Sequence, residues 1–281
     1  YIMTAGRPIE AVRHGLRQLG DAWASRVRVV GVATTGSGRY LTGDIVRADV
    51  VRNEITAQAR GAAHVVPDVD TIFEIGGQDS KYIRLHDGVV VDFEMNHVCA
   101  AGTGSFLEEQ AERLGISIKE EFARLALSSR APVRLGERCT VFMESDLVHH
   151  QQQGAALADL VAGLAHSIVA NYLNRVVGAR SIGQRILFQG GTAFNRAVTA
   201  AFAAQTGRSI TVPPHHEVTG AIGAALLARE AHQRGDYAAT AFRGFHLADR
   251  PYQVKSFACQ GCSNYCDIRQ VTVEGEAPLF Y

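Results

Sequence analysis

The sequence predicts an α/β fold. Short β-branched apolar runs alternate with helical patterns, three of those runs end in glycine turns, and residues 157–177 repeat apolar side chains at helical spacing. In chain order, residues 26–32 read as a strand entering a turn at 34–38, and residues 53–63 as a helix of small side chains. Residues 71–75 form a strand that ends at Gly76-Gly77. Two more strands, 81–85 and 89–93, are joined by His86-Asp87-Gly88, where the Asp-Gly pair favours a tight hairpin. A helix follows Gly102-Thr103-Gly104-Ser105 through Phe106, Leu107, Ala111 and Leu114, with Gly115 closing it. Leu157, Leu160, Val161, Leu164, Ile168, Tyr172 and Val176 mark the long helix as core. A strand at 186–188 ends at Gly190-Gly191; a helix at 194–205, a strand at 210–212 and a helix at 218–232 follow. After Arg234-Gly235-Asp236 the α/β rhythm fades.

The 281 residues fit one large domain or two modest ones. Hydrophobic residues at 47% against 20% charged exclude a disordered chain. A net charge of zero gives no footprint for non-specific nucleic-acid binding. No apolar run approaches the ~20 residues of a membrane span, so neither nucleic acid nor membrane is an expected partner. The start, Tyr1-Ile2-Met3-Thr4, has neither an initiator Met nor the apolar core of a signal peptide, so the chain is expected to be a piece of a longer protein. Five cysteines, odd in number and unevenly placed, exclude a disulfide scaffold.

The three glycine turns are Ala33-Thr34-Thr35-Gly36-Ser37-Gly38, Glu74-Ile75-Gly76-Gly77-Gln78-Asp79-Ser80-Lys81 and Phe188-Gln189-Gly190-Gly191-Thr192. Glycines let backbone approach a ligand closely, and successive N–H groups can cradle phosphate. Glu74 or Asp79 beside the second turn can hold Mg²⁺ or orient a water. Any one turn by itself reads as a tight connection; three in one α/β chain tip the reading toward a nucleotide site. Neither a Walker A loop nor a Gly-x-Gly-x-x-Gly helix start is present.

Cys99 lies just before the helix that follows Gly102, where a helix N-terminus favours a thiolate. Cys139 lies in Glu137-Arg138-Cys139-Thr140-Val141-Phe142-Met143-Glu144-Ser145. Three readings stand side by side: two buried thiols acting as small hydrophobes, a reactive Cys99 with His97, or ligands to a metal cluster. Two thiolates cannot complete a four-cysteine site, but a two-fold dimer can.

The segment from Glu74 to Lys81, followed by Asn96-His97-Val98-Cys99-Ala100-Ala101-Gly102-Thr103-Gly104, is very similar to the ATPase activators of 2-hydroxyacyl-CoA dehydratases, a family that includes the ATPase subunits of benzoyl-CoA reductases. The Cys139 segment resembles its second cysteine motif, and Phe188-Gln189-Gly190-Gly191-Thr192-Ala193-Phe194-Asn195 its adenosine motif; the likeness runs from about Tyr1 to about Ala228. The resemblance implies the fold of acetate and sugar kinases, heat-shock chaperones and actin: two ribonuclease-H-like lobes with a nucleotide cleft. It implies a partial first lobe at 1–68, a second lobe at 69–235 with the cluster-ligand helix, and a cysteine-containing tail at 236–281. The helices at 53–63 and 218–228 resemble the connecting pair at the hinge. Glu74, Gln78 and Asp79 match the catalytic side of the nucleotide. Gly36, Gly76, Gly77, Gln78, Gly102, Gly104, Gly190, Gly191 and Asn195 match its binding side.

Cys99 and Cys139 then correspond to ligands of one [4Fe–4S] cluster shared across a homodimer. The implied activity is that of a cytoplasmic CoA-substrate-specific enzyme activase. A ferredoxin or flavodoxin supplies an electron, and ATP binding and hydrolysis, with Mg²⁺, drive its delivery to a CoA-ester dehydratase or reductase component. Alternatives from other classes are a small-molecule or sugar kinase on the same fold and a non-catalytic metal-binding domain. The family's first phosphate loop, Asp-x-Gly-Ser-Thr, would precede Tyr1, so the first lobe is expected to be truncated and this piece to hold ATP weakly or not at all.

The tail departs from the small activators. Cys259, Cys262 and Cys266 form a Cys-x₂-Cys-x₃-Cys cluster, read as three ligands of a second Fe–S or zinc site or as an inert cysteine-rich loop. His149-His150 reads as a solvated helix end stopping at Gly154 rather than a metal site, Pro213-Pro214-His215-His216 as a loop entering the last helix, and Lys81 as a solvated strand residue rather than one reaching a phosphate.

Overall fold

The computed structural model describes residues 1–4, 6–96, 102–137, 139–275 and 277–281. It divides into two compact units, Tyr1–Ala57 with Gly220–Tyr281, and Gln58–Thr219. These divisions lie at 57/58 and 219/220, beside the 68/69 and 235/236 that the resemblance leads one to expect. The chain leaves the first unit within one helix and returns at the start of another, so the last helix and the tail belong with the N-terminal segment.

In the first unit α1 (Pro8–Trp23) opens with Pro8, whose missing N–H is harmless in a first helical turn. Sequence periodicity assigned no element here. Its Ile9, Val12 and Leu16 pack on Ile45, Val46, Leu247 and Val273. The expected strand at 26–32 is not one: the ladder is only two residues long, with β1 (Ala33–Thr34) parallel to β2 (Val50–Val51). β-branched content supplies propensity, but a strand forms only where a neighbour aligns. Between them lies α2 (Arg39–Val46), and after them α3 (Glu54–Val65) begins, with Asn53 accepting from the Thr56 N–H at 3.0 Å. Asp49 gathers the segment after the last helix to β1, its carboxylate accepting from Val32 N, Thr240 Oγ1 and Ala241 N at 2.7–2.8 Å.

The second unit is built on β3 (Thr71–Ile75), β4 (Ser80–His86) and β5 (Val89–Met95), joined later by β6 (Ile186–Gln189) and β7 (Ile210–Thr211). The strand order is β5-β4-β3-β6-β7, with β4 antiparallel to β3 and β5, and β6 and β7 running parallel to β3. That order is ribonuclease-H-like. Asp87 and Gly88 both have positive φ, +49° and +76°, the left-handed pair of a two-residue hairpin turn.

Helices α4 (Gly104–Arg113), α5 (Phe122–Ser128), α6 (Thr140–Gln152), α7 (Leu157–Tyr172) and α8 (Arg196–Thr206) complete this unit. The expected apolar stripe makes α7 its most buried helix, and the helix continues as a π-helical turn, Leu173–Val177. Aromatic rings join α7 and α8 to the sheet: Phe202 lies 5.0 Å from Phe73, 5.0 Å from Phe188 and 5.3 Å from Tyr172.

The chain then returns through α9 (Thr219–Arg234) to the first unit. The tail, where periodicity faded, forms an antiparallel sheet of β8 (Tyr252–Ala258), β9 (Asp267–Val273) and β10 (Leu279–Phe280). Arg13 and Arg17 of α1 donate to the Ala248 carbonyl, and the Arg13 guanidinium lies 5.1 Å from the Tyr252 ring centre. No helix among the described residues is long and apolar enough to cross a membrane.

Truncating Phe202 to alanine empties the meeting point of three aromatic rings. The expected loss is about 3–5 kcal/mol of unfolding free energy, read as a lower urea midpoint with an unchanged slope.

Candidate functional site

The second glycine turn is shaped by its own backbone and by the helix beside it. β3 ends at Ile75, and the Gly76 N–H donates to the Asp79 carbonyl at 2.9 Å. The carbonyls of Gly76 and Gly77 accept from the N–H groups of Gly104 and Ser105, at 2.8 and 3.0 Å. The turn is thereby docked on the first turn of α4. A Cβ on Gly104 would lie 2.7 Å from Thr192 Oγ1 and 3.0 Å from the Gly76 carbonyl oxygen. Gly104 thus permits close packing of three segments, and its own N–H is engaged by the turn.

The third turn closes on the same place. Gly190 has φ +92°, and a Cβ there would come within 2.4 Å of the Ile75 carbonyl oxygen and 2.9 Å of Glu74 Oε1. The Gly190 N–H donates to the His216 carbonyl, and His216 Nδ1 lies 2.9 Å from the Gly190 carbonyl oxygen, so Nδ1 carries the proton there. His216 is therefore a buried brace, in contrast to its expected place in an open loop. The exposed Phe194 ring stands edge-on to it, 4.3 Å between centres. Asn195 caps α8 by accepting from the Ala197 N–H at 3.1 Å.

Lys81 corrects a further expectation. It is 3% exposed, because β4 is an interior strand and its register sets Lys81 directly opposite Glu74. Its ammonium lies 3.0 Å from Glu74 and 2.9 Å from Asp79. Burial disfavours the charged ammonium, but Glu74 and then Asp79 outweigh it, leaving the pKa above the ordinary lysine value. Glu74 is 4% exposed and held by this pairing, whereas Gln78 and the half-exposed Asp79 side chain face outward. Tyr172, which sequence reading treated only as core, donates to the Lys81 carbonyl at 2.7 Å. Three buried polar atoms around these turns have no partner among the described residues: Ser80 Oγ, Gln189 Oε1 and Asn195 Nδ2. The Gln189 amide nitrogen meets Gln58 Oε1 at 2.6 Å, a contact that no local sequence signal marks.

The structure thus brings Glu74, Gly76, Gly77, Gln78, Asp79, Gly104, Gly190, Gly191 and Asn195 into one region of the second unit. Gly102 lies beside Ser80, and Gly36, with φ +81°, belongs to the first unit.

Cys139 occupies the N-cap position of α6, half-buried in extended backbone. Cys99 and His97 lie outside the described residues. Cys259, Cys262 and Cys266 sit in the hairpin loop between β8 and β9, closed by Cys259 N–H to the Cys266 carbonyl at 2.8 Å. Among the described residues no three His, Cys, Asp or Glu form a group that could hold a metal ion. His149 and His150 lie in the last turn of α6, and Gly154 follows with φ +79°.

A ribonuclease-H-like sheet whose glycine turns converge beside a buried Lys–Glu pair defines an actin-like ATPase fold. The chain belongs to the BadF/BadG/BcrA/BcrD ATPase family, whose model matches residues 6–228. It is 35% identical over 210 residues to the 2-hydroxyisocaproyl-CoA dehydratase activator of Clostridioides difficile, covering 74% of this chain and 77% of that protein. It superposes on the structure of the Clostridium difficile activator with bound ADPNP at a TM-score of 0.72 and 31% identity, covering 83% of this chain and 84% of that one. It is 33% identical over 221 residues to the uncharacterised protein MJ0800 of Methanocaldococcus jannaschii, covering 78% of this chain but 52% of that protein. The chain therefore spans about half the length of that relative.

Replacing Lys81 with Met leaves the Glu74 carboxylate buried without its cation. The expected loss is about 3–5 kcal/mol in denaturant unfolding, largely recovered in the double variant Glu74→Gln/Lys81→Met. Because the folded-state pKa of Lys81 is raised, the pair's contribution is fully present at neutral pH. It should fade only as alkaline pH climbs through that raised value, measured as unfolding midpoints across an alkaline series.

Proposed function

We propose that this chain is the nucleotide-hydrolysing part of an activator that delivers electrons to a CoA-thioester dehydratase or reductase component. One observation carries the reading: the turn at Gly76 and Gly77 is hydrogen-bonded to the first turn of α4, the helix that the Cys99 segment enters. A ligand bound at the turn then bears directly on the cysteine segment. Membership of an ATPase family and likeness to a dehydratase activator, one whose structure carries ADPNP, support the same reading.

In this proposal the turns 76–79 and 190–195 hold ATP or ADP. Gly76, Gly77, Gly190 and Gly191 let the backbone approach it, and the unpartnered Asn195 Nδ2 and Gln189 Oε1 supply polar capacity. Gly36 and Gly102 remain proposed nucleotide contacts. Asp79 orients Mg²⁺ or the attacking water, with Gln78 beside it. Glu74 acts through Lys81, holding Asp79 in place, so its role is positioning. The soft thiol donors suit a [4Fe–4S] cluster held by Cys99 and Cys139 of two copies of the chain, and Cys139 stands at the N-terminal end of α6. Such a cluster, when bound, supplies one-electron redox chemistry. A ferredoxin or flavodoxin donor and a cytoplasmic location, where thiols stay reduced, belong to the same proposal.

The complete protein, purified anaerobically, should hydrolyse ATP and contain iron and sulfide. Asp79→Asn should lower kcat about 10²-fold or more while leaving iron content unchanged. Cys139→Ser should remove the iron and leave the circular dichroism spectrum intact. An iron-free monomer that phosphorylates a small molecule would sink the proposal.

A further inference from the structure

The helix α7 is apolar through the core of its unit, yet two of its buried residues are polar. Ser167 and Asn171, each 3% exposed, lie one helical turn apart on the same face. Unpaired, a hydroxyl and an amide at such depth destabilise a core. Both are satisfied by adjacent carbonyls of one loop. Ser167 Oγ donates to Gly136 O, and Asn171 Nδ2 donates to Glu137 O, just before Cys139.

The other end of the Asn171 amide faces a different segment. A Cβ on Gly102 would lie 3.0 Å from Asn171 Oδ1 and 3.7 Å from Ser80 Oγ. Gly102 follows the Cys99 segment. The near side of that segment is fixed to the same strand, with Asn96 Oδ1 accepting from Ser80 N at 2.6 Å and Asn96 N donating to Ser80 O at 3.0 Å. One amide on the central helix thus hydrogen-bonds the loop before Cys139 and fills the space beside Gly102, where the segment after Cys99 begins.

We propose that Asn171 is a positioning residue that ties the two cysteine-bearing segments together, so that neither shifts without the other. Ser167 secures only the Cys139 side. As a statement about cluster ligands this rests on the function proposed above; as a statement about the two segments it does not. Groups behind metal ligands commonly fix ligand orientation, and their loss typically changes metal affinity by 10–100-fold.

The test uses the complete protein, and its first arm needs no metal. Hydrogen exchange is followed by mass spectrometry in peptides covering residues 102–106 and 133–137. Asn171→Ala should raise exchange about tenfold or more in both, while peptides in α8 stay as in the parent. Ser167→Ala should raise it in 133–137 alone. Asn171→Ser replaces the alanine variant if that one does not fold. Loosening of only one segment by the Asn171 variant would overturn the bridge. In the second arm, iron-loaded protein is mixed with a chelator, and Asn171→Ala should release iron 10–100-fold faster. Unchanged release with both segments loosened would overturn the ligand-positioning role. An iron-free parent protein whose Asn171→Ala variant still loosens both segments would support the bridge and sink the cluster reading.

Discussion

Two backbone hydrogen bonds, from Gly104 and Ser105 to the carbonyls of Gly76 and Gly77, fix where a strand's end meets a helix's beginning. The residues on either side have little freedom once these form. Gly104 must lack a side chain because Thr192 and Gly76 already occupy the space, and Gly190 must lack one because Ile75 and Glu74 do. A helix N-terminus ordinarily offers its first N–H groups to water or an anion. Here two of them are engaged by protein, so the turn is positioned by the helix.

Charge placement follows from the same geometry. β4 runs through the sheet's interior, and its first residues carry Ser80 and Lys81 into the core beside β3. An ammonium at that depth is tolerated because two carboxylates meet it, and one of them reaches outward. The arrangement leaves Glu74 as internal support and Asp79 as the accessible acid. Tyr172 links this support to the central helix, and its neighbour on α7, Asn171, holds the Glu137 carbonyl just before Cys139.

Much of this was legible in the sequence. Asp87-Gly88 announced its hairpin because both residues tolerate left-handed backbone, and the 157–177 stripe announced its core helix because 3.6-residue spacing is hard to mistake. The glycine turns were visible as strand ends. What escaped was non-local. Residues 26–32 have strand propensity but find a ladder only at their end, since pairing depends on a distant segment. Lys81 read as solvated because nothing nearby shows that β4 has neighbours on both sides. His216 and Gln58 gave no signal, since their partners lie at Gly190 and Gln189, far along the chain. The tail sheet lacked periodicity because most of β8 is exposed on both faces.

The buried pairing of Glu74 with Lys81 also constrains how this lineage can change. Replacing Lys81 alone passes through a protein whose buried Glu74 has lost that cation, a less stable form, whereas replacing Glu74 alone leaves Lys81 paired with Asp79. Lys81 therefore changes most readily after Glu74 has changed, or once stabilising changes elsewhere have widened the margin. Asp79 is freer in this respect, because water can take the place of its partner. In the proposed function its identity answers to a ligand, whereas that of Lys81 answers to the buried carboxylate opposite it.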